Sequence, residues 1–215
     1  MEKDISAEED ATLMLAAKAG DIDAFSVLVK KHQNSVMNFF RRCGVYKDVE
    51  DIAQETFLKL YRVRSTYEVK AKFTTFLYLL ARQVMIDHIR KQERESKLLD
   101  SYGEQAPQFE KPDKHNDGTD EVLAALSSLS QALRETIVLV IMQDMTYQEA
   151  ADILGVPLGT IKSRVSIGLE RMKSFLLNST TTGCNVSACN VCDTSHGSTT
   201  HRSNFANRLS VQSVV

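Results

Sequence analysis

The sequence of 215 residues contains few of the residues that interrupt helices, with only 3 prolines and 9 glycines, and few alternating runs of β-branched side chains. This scarcity predicts a mainly helical protein. No apolar run approaches the roughly 20 residues that a membrane-spanning helix requires. The acidic start MEKDISAEED does not fit a signal peptide, which begins with basic residues. We therefore expect a helical protein of the cytoplasm with no membrane span.

Signatures of catalysis are also missing. The chain has no nucleophile and base in a recognised spacing and no glycine-rich loop that could hold a phosphate. The hydrophobic fraction of 43% is nevertheless sufficient to build cores. The sequence predicts a binding protein that is not an enzyme and that requires no cofactor.

Charge is unevenly distributed, although the net charge is only -2. Residues 21–99 carry a net charge of +5, whereas residues 100–120 carry -4. Nucleic-acid binding depends on the local patch of charge and not on the total. The acidic balance of the whole chain therefore does not exclude DNA as a partner.

Residues 146–176, TYQEAADILGVPLGTIKSRVSIGLERMKSFL, predict two helices joined by a tight turn. Thr146 and Glu149 have the spacing of a capping box, and Gly155 suits the end of the first helix. A helix-turn-helix inserts the start of its second helix into the major groove. Four polar residues near that start form the candidate DNA-contacting set: Thr160, Lys162, Ser163 and Arg164. An ordinary antiparallel helix pair with a solvated face is the alternative.

Three further helices are predicted in the first half of the chain, at about residues 10–19, 22–42 and 48–64, from their apolar spacing. His32 lies in an apolar seam, where a packed histidine is expected more often than a metal ligand. The third of these helices leaves Asp51, Gln54 and Glu55 on a separate face. This acidic and amide-bearing face suits a basic protein partner, or it is simply solvated.

Residues 73–94, FTTFLYLLARQVMIDHIRKQER, predict a long helix that changes from apolar to basic. Its candidate DNA-binding residues share one property, a polar or charged side chain at helical intervals: Arg82, Gln83, Asp87, Arg90, Lys91 and Arg94. Such groups suit phosphates and unstacked bases. Alternatively, the basic end is a helix terminus stabilised by the helix dipole.

The remaining segments are a linker and a tail. Residues 95–120 contain two prolines and two glycines and predict a flexible linker. Residues 178–215 are rich in Ser and Thr and should not fold alone. Candidate zinc or cuprous copper ligands occur in this tail: Cys184, Cys189, Cys192, His196 and His201. The alternative is a disordered extension in which cysteines cluster by chance.

The order of these motifs resembles the sigma-70 family of bacterial RNA polymerase sigma factors, specifically the extracytoplasmic-function (ECF) group. AGDIDAF and DVEDIAQETFLKLYR resemble the first helices and the polymerase-binding segment. FTTFLYLLARQVMIDHIRK resembles the minus-10 segment, and MTYQEAADILGVPLGTIKSR resembles the minus-35 segment. The resemblance covers about residues 8–177.

This resemblance implies an all-α fold of two small domains, with a region 2-like domain at 8–94 and a region 4-like domain at 121–177. Asp51, Gln54 and Glu55 would contact core RNA polymerase. The set from Arg82 to Arg94 would bind the minus-10 element of promoter DNA, and the set from Thr160 to Arg164 the minus-35 element. The free chain would be a monomer, and an anti-sigma factor is a further partner that the resemblance allows. Some relatives carry cysteine-rich tails that sense metal, so metal would regulate this protein through its tail.

Three positions depart from the family pattern. Phe76 stands where tryptophan is frequent, and Gln83 stands where asparagine is frequent, which places the base preference at minus 10 in doubt. Residues 166–169, SIGL, replace a segment usually rich in His and Arg. Because phosphate contacts contribute much of the affinity for DNA, we expect a weak minus-35 interaction.

Two other interpretations remain at this point. The first is a stand-alone helix-turn-helix regulator that binds an operator as a dimer. The second is a metal-buffering protein with a vestigial DNA-binding fold. Binding to promoter DNA without polymerase distinguishes the first from a sigma factor, and tight metal uptake without promoter recognition identifies the second.

Overall fold

The computed structural model describes residues 2–101 and 119–181, with side chains described for residues 8–97 and 121–178. The described residues form helices and contain no strand, which confirms the predicted all-α class. No helix in these two ranges is long and apolar enough to cross a membrane. The helices are α1 (Glu2–Lys18), α2 (Ile22–Arg42), α3 (Val49–Val63), α4 (Phe73–Ser101), α5 (Thr119–Ser127), α6 (Gln131–Ile137), α7 (Tyr147–Leu154) and α8 (Leu158–Thr181).

The turn between α1 and α2 is determined locally. Gly20 adopts a φ of 107°, a region that favours glycine because it has no Cβ. Asp21 then caps α2, since its carboxylate accepts a hydrogen bond of 3.0 Å from the amide of Ala24. The inward side of α2 buries Leu28 and the aromatic pair Phe39 and Phe40. The sequence predicted this helix from the same apolar spacing.

A buried carboxylate connects α1 to α2. Asp10 is only 2% exposed and accepts hydrogen bonds from Lys31 Nζ at 2.6 Å and from His32 Nε2 at 2.9 Å. Burial lowers the pKa of His32, although Asp10 acts in the opposite direction. A neutral His32 can still donate from Nε2. His32 therefore packs as part of the structure, as its position in the apolar seam predicted.

Helix α4 is longer than the sequence suggested. The predicted linker began at residue 95, whereas α4 runs without interruption to Ser101. Residues 95–101, ESKLLDS, contain neither proline nor glycine, so nothing in them stops a helix. The helix pattern resumes in α5 at Thr119, and the remainder of the predicted linker, residues 102–118, lies outside the described residues.

Helices α5 to α8 surround a second set of buried apolar residues. A five-residue π-helical turn, Val138–Met142, follows α6 directly and buries Val138 and Leu139. Gly168 in α8 allows α6 to approach closely, because a Cβ at this position would lie 2.8 Å from Cγ1 of Ile137. The side chains buried around α5–α8 are continuous with those of α1–α4, so the two helix groups share one core.

Candidate nucleic-acid interface

The connection between α7 and α8 forms the predicted helix-turn-helix. Thr146 and Glu149 form the capping box, in which Glu149 Oε2 accepts from the Thr146 amide at 2.8 Å and Thr146 Oγ1 accepts from the Glu149 amide at 3.2 Å. Gly155 ends α7 with a φ of 65°, in the left-handed region. Both features were predicted from residue spacing. The box begins α7 and Gly155 ends it, so both ends of the first helix of the motif are determined locally.

Glu149 also has a partner in the other half of the molecule. Its Oε1 lies 3.1 Å from Nζ of Lys72, just before α4. Burial raises the pKa of Glu149, but hydrogen bonds from Thr146 and Lys72 outweigh burial, so the pKa is lowered overall. Glu149 is therefore a carboxylate at neutral pH and stabilises both the cap and the contact between α4 and α7.

The predicted residues of α8 lie together at the start of the helix. Lys162 and Ser163 are exposed, while Thr160 and Arg164 are half-buried. Ile161 and Val165 point the other way into the core, with exposed fractions of 0% and 5%. One turn of α8 thus offers two cations and two hydroxyl groups on the side away from the core. Such groups donate hydrogen bonds to phosphates and base edges.

The residues that follow this set divide between the two sides of α8. Ser166 and Ile167 are exposed, but Gly168 is buried against Ile137 and Leu169 is half-buried. The expected loss of phosphate contacts therefore concerns the exposed Ser166 and Ile167, because close packing against α6 occupies the position of Gly168.

The predicted set on α4 is mostly accessible. Gln83 and Asp87 are exposed, as are the three cations Arg90, Lys91 and Arg94. Arg90 lies 4.0 Å from Asp87, and Lys91 lies 4.0 Å from Glu95, in the same helix. Exposed ion pairs at this distance contribute little. The cations therefore remain available to a phosphate backbone.

Arg82 differs from the other members of the α4 set. Its Nε donates a hydrogen bond of 2.9 Å to Glu135 Oε2 in α6. The side chain of Glu135 is only 6% exposed, and that of Arg82 is 25% exposed. The second oxygen of Glu135 accepts from Gln131 at 2.8 Å. The structure thus places one of the six predicted residues of α4 in a charged contact with the second helix group.

The predicted protein-binding face lies on α3. Asp51, Gln54 and Glu55 are all exposed, whereas Ile52 and Phe57 on the other side of the helix are buried. A groove of about 500 Å³ runs beside this face between α2 and α3. Its lining is mainly apolar and includes Phe25, Met37 and Leu58. Leu58 is 55% exposed, so the face combines negative charge with accessible apolar surface.

The predicted metal ligands of the tail all lie outside the described residues: Cys184, Cys189, Cys192, His196 and His201. Within the described ranges, no group of three or more His, Cys, Asp and Glu side chains could hold a metal ion. Cys43 is 1% exposed, and burial raises the pKa of its thiol well above the ordinary value. This thiol is therefore a poor nucleophile and a poor metal ligand.

Sequence reasoning missed the polar contacts between the two helix groups. Glu135 and Arg134 occur in an apolar segment, LSSLSQALRETIVL, where two adjacent charges are themselves a signal of paired burial. Their partners are distant in the sequence, since Arg82 and Glu135 are separated by 53 residues. Spacing along a helix could not have identified such a pair.

Two family models match the chain, one over each of its two helix groups. The model of sigma-70 region 2 matches residues 28–95, and that of sigma-70 region 4 matches residues 119–172, which together make up more than half of the chain. The chain belongs to the sigma-70 family. This confirms the resemblance that the motifs indicated.

Named relatives place this sigma-70 protein in the ECF group. It is 28% identical over 172 residues to the ECF RNA polymerase sigma factor SigW of Bacillus subtilis, covering 74% of this chain and 92% of the relative. It is 27% identical over 177 residues to the ECF RNA polymerase sigma-E factor of Haemophilus influenzae, covering 77% and 94%.

Solved structures of similar fold include CnrH in complex with the cytosolic domain of CnrY, with a TM-score of 0.62, 23% identity and coverage of 80% and 98% of the two chains. Another is the sigma factor RpoE in complex with the anti-sigma factor NepR from Bartonella quintana, with a TM-score of 0.62, 24% identity and coverage of 73% and 98%. At these identities the likeness concerns the fold of this sigma-70 protein.

Proposed function

We propose that this ECF sigma factor binds core RNA polymerase, recognises the minus-10 and minus-35 elements of its promoters and directs the start of transcription. The observation that carries the proposal is the order of the two sigma regions in one chain, each with an exposed polar face on the helix expected to contact DNA. The protein acts as a specificity subunit, is not an enzyme and works in the cytoplasm as a monomer when free.

Core polymerase binds at the α3 face of Asp51, Gln54 and Glu55. The carboxylates attract a basic partner, and the adjacent apolar groove offers surface that contact would remove from water. A protein partner is favoured over DNA here because the face carries negative charge. An anti-sigma factor is a second class of partner, since one solved structure of similar fold is a sigma factor in complex with an anti-sigma factor.

The exposed residues of α4 hold the minus-10 element, and Thr160, Lys162, Ser163 and Arg164 of α8 enter the major groove at minus 35. Cations on α4 neutralise phosphates, and its amide and carboxylate groups form hydrogen bonds with unstacked bases. A base that leaves the stack costs a few kcal/mol, which a binding pocket must return. The exposed Ser166 and Ile167 carry no charge for a phosphate, which supports a weak minus-35 interaction.

In vitro transcription with bacterial core polymerase on a pool of promoter fragments tests the proposal. We expect defined transcripts only when both the chain and the core enzyme are present. Replacing Asp51 and Glu55 by Lys should abolish the transcripts and the co-elution with polymerase. A matched variant, Glu93→Lys and Glu95→Lys, makes the same charge change on an exposed part of α4 and should leave co-elution intact. Tight binding of one operator at physiological salt without polymerase would favour the stand-alone regulator instead.

For the tail we propose that Cys184, Cys189 and Cys192, with His196 and His201, hold zinc or cuprous copper and regulate the sigma factor. Thiolate and imidazole are the ligands that both ions prefer. Equilibrium dialysis of the full chain against each ion measures this directly. Because the Cys43 thiol is buried, bound metal should disappear when the three tail cysteines are replaced by Ser and remain after Cys43→Ser. Unchanged uptake in the triple variant would contradict the proposal.

A further inference from the structure

The outward side of α8 continues for one turn beyond Ser163. Side chains four residues apart are neighbours on a helix surface, so Ile167 follows Ser163 on the same face. Both residues are exposed, whereas Ile161 and Val165 are buried on the opposite side. Ile167 is 42% exposed. The face that this sigma factor is expected to insert into the major groove therefore carries one large apolar side chain.

The fold does not require an apolar residue at position 167. Among the described side chains, Ile167 belongs neither to the buried core nor to the apolar side chains that pack against it. Leu169 and Met172, farther along α8, do pack against the core. Single exposed apolar residues are common on protein surfaces, so exposure alone indicates no partner. It is the position of Ile167, on the face of Ser163, that points to one.

The surface around Ile167 is polar. Residues three and four positions away on α8 are all polar or charged: Ser163, Arg164, Glu170 and Arg171. A stable protein interface covers about 800 Å² on each partner and has an apolar centre. One isoleucine between charged groups does not supply such a surface. A single apolar contact among polar groups suits a base edge in a DNA groove better.

DNA offers an apolar group of suitable size at this place. The major groove displays hydrogen-bonding groups on every base pair, and its apolar group is the 5-methyl of thymine. Four residues advance a helix by about 6 Å, which is less than the groove width of about 12 Å. Ser163 and Ile167 can therefore lie over bases of the same groove while Lys162 and Arg164 reach phosphates.

We propose that Ile167 contacts a thymine methyl group in the minus-35 element and gives this sigma factor a preference for thymine there. The inference rests on the proposed function and adds a base preference to it. A cation at this position would bind phosphate in any sequence, whereas a methyl contact forms only where thymine occurs. The weak minus-35 interaction is thus selective, because α8 has few sequence-independent contacts and one contact that depends on the base.

Promoter fragments in which uracil replaces thymine test this contact, because uracil pairs with adenine in the same way and lacks only the 5-methyl group. The replacement is confined to the upstream segment that the polymerase complex protects, and the full chain is used together with core polymerase. Loss of one buried methyl group should weaken binding by the wild type about fourfold, as measured by fluorescence anisotropy. Ile167→Ala should bind the thymine and uracil fragments equally.

Two further variants separate the methyl contact from a general effect on binding. Ile141→Ala is the matched control, since it truncates an isoleucine that is 38% exposed in the same domain but outside α8. It should keep the fourfold preference for thymine. Ile167→Arg should lose the preference and show a steeper salt dependence, because arginine adds about one phosphate contact. Since Ile167 lies outside the core, both of its substitutions should leave the Tm unchanged.

The outcomes distinguish this inference from the proposed function. Specific binding by the wild type with equal affinity for both fragments would overturn the methyl contact and leave the proposed function standing. An equal loss for wild type and Ile167→Ala would also overturn it, because the effect of uracil would then come from the DNA and not from this side chain. If the chain with core polymerase bound no promoter fragment specifically, the proposed function would be contradicted, and the inference with it.

Discussion

The two helices expected to contact DNA differ in whether their charged side chains form ion pairs with the rest of the molecule. The α8 set lies on the outer side of a helix whose opposite side is buried, and none of the ion pairs among the described side chains involves Lys162 or Arg164. On α4, by contrast, Arg82 is bound to Glu135 of the other domain. Exposure of a polar face therefore does not show that every residue on its helix is free to bind. The contact between the two helix groups therefore occupies Arg82 of the α4 set, whereas it leaves the α8 set accessible.

The packing that supports α8 can be disturbed without touching its polar face. Gly168→Ala would place a Cβ 2.8 Å from the buried Ile137 side chain. Overpacking of this kind should lower the free energy of unfolding by about 2 kcal/mol. Gly159→Ala is the matched control, since no atom lies within 4 Å of its added Cβ and alanine favours a helix. Urea unfolding followed by circular dichroism compares them, and equal stability of the two variants would contradict the close approach of α6.

Single substitutions on α4 and α8 should change the affinity for promoter DNA differently in the free chain and in the polymerase complex. Arg82→Ala should weaken promoter binding about tenfold in the polymerase complex, or about 1.4 kcal/mol, and should cause no loss of DNA binding by the free chain. Lys162→Ala should cost about tenfold in both states, because its side chain is already exposed in the free chain. Fluorescence anisotropy with labelled promoter DNA at low salt measures both. A loss of affinity for Arg82→Ala in the free chain would show that Arg82 is already free.

The capping box stabilises the start of α7, the first helix of the helix-turn-helix. Thr146→Ala removes the acceptor for the Glu149 amide and should lower the free energy of unfolding by about 1 kcal/mol. Thr160→Ala, in the first turns of α8, removes a hydroxyl of the same type outside the cap and is the control. Thermal unfolding should show the larger decrease in Tm for Thr146→Ala. A larger decrease in Tm for Thr160→Ala would mean that the capping hydrogen bond contributes less to stability than the side chain of Thr160.

The smallest expected effect is a pH dependence centred on Glu149. Its pKa is lowered in the folded protein, so its stabilising contribution is complete above the pKa of the unfolded chain and is lost as the pH falls through the folded pKa. Wild type should therefore be more stable than Glu149→Gln at pH 7, and the difference in Tm should shrink as the pH is lowered below about 4, near the ordinary pKa of glutamate. A difference that stays constant down to pH 3 would contradict the hydrogen bonds from Thr146 and Lys72 as its cause.

Features that depend on near neighbours in the chain were accessible from the sequence. The Thr146 and Glu149 box, the helix end at Gly155 and the outward face at Lys162 all follow from spacings of a few residues. The burial of His32 followed from its place in an apolar seam. These predictions succeed because caps and helix faces are determined by local geometry.

Contacts between distant segments were not accessible in this way. The partner of His32, Asp10, lies 22 residues away, and Glu135 lies 53 residues from Arg82. The role of Gly168 also depended on a distant residue, because only the fold brings Ile137 close to it. The end of α4 was misplaced for a different reason, since the prolines and glycines of residues 95–120 predicted a linker from residue 95, although all of them come after Ser101. The arrangement of the two domains therefore required the structure.

Hydroxyl-radical footprinting of one promoter, chosen from the transcribed fragments, tests the central claim most directly. With core polymerase and the chain together, we expect protection of two segments about 25 base pairs apart, one bound through α4 and one through α8. Lys162→Ala should weaken only the upstream segment, and Arg90→Ala with Lys91→Ala only the downstream one. A single protected segment, or both segments protected by the chain alone at physiological salt, would contradict a sigma factor that binds both promoter elements together with core polymerase.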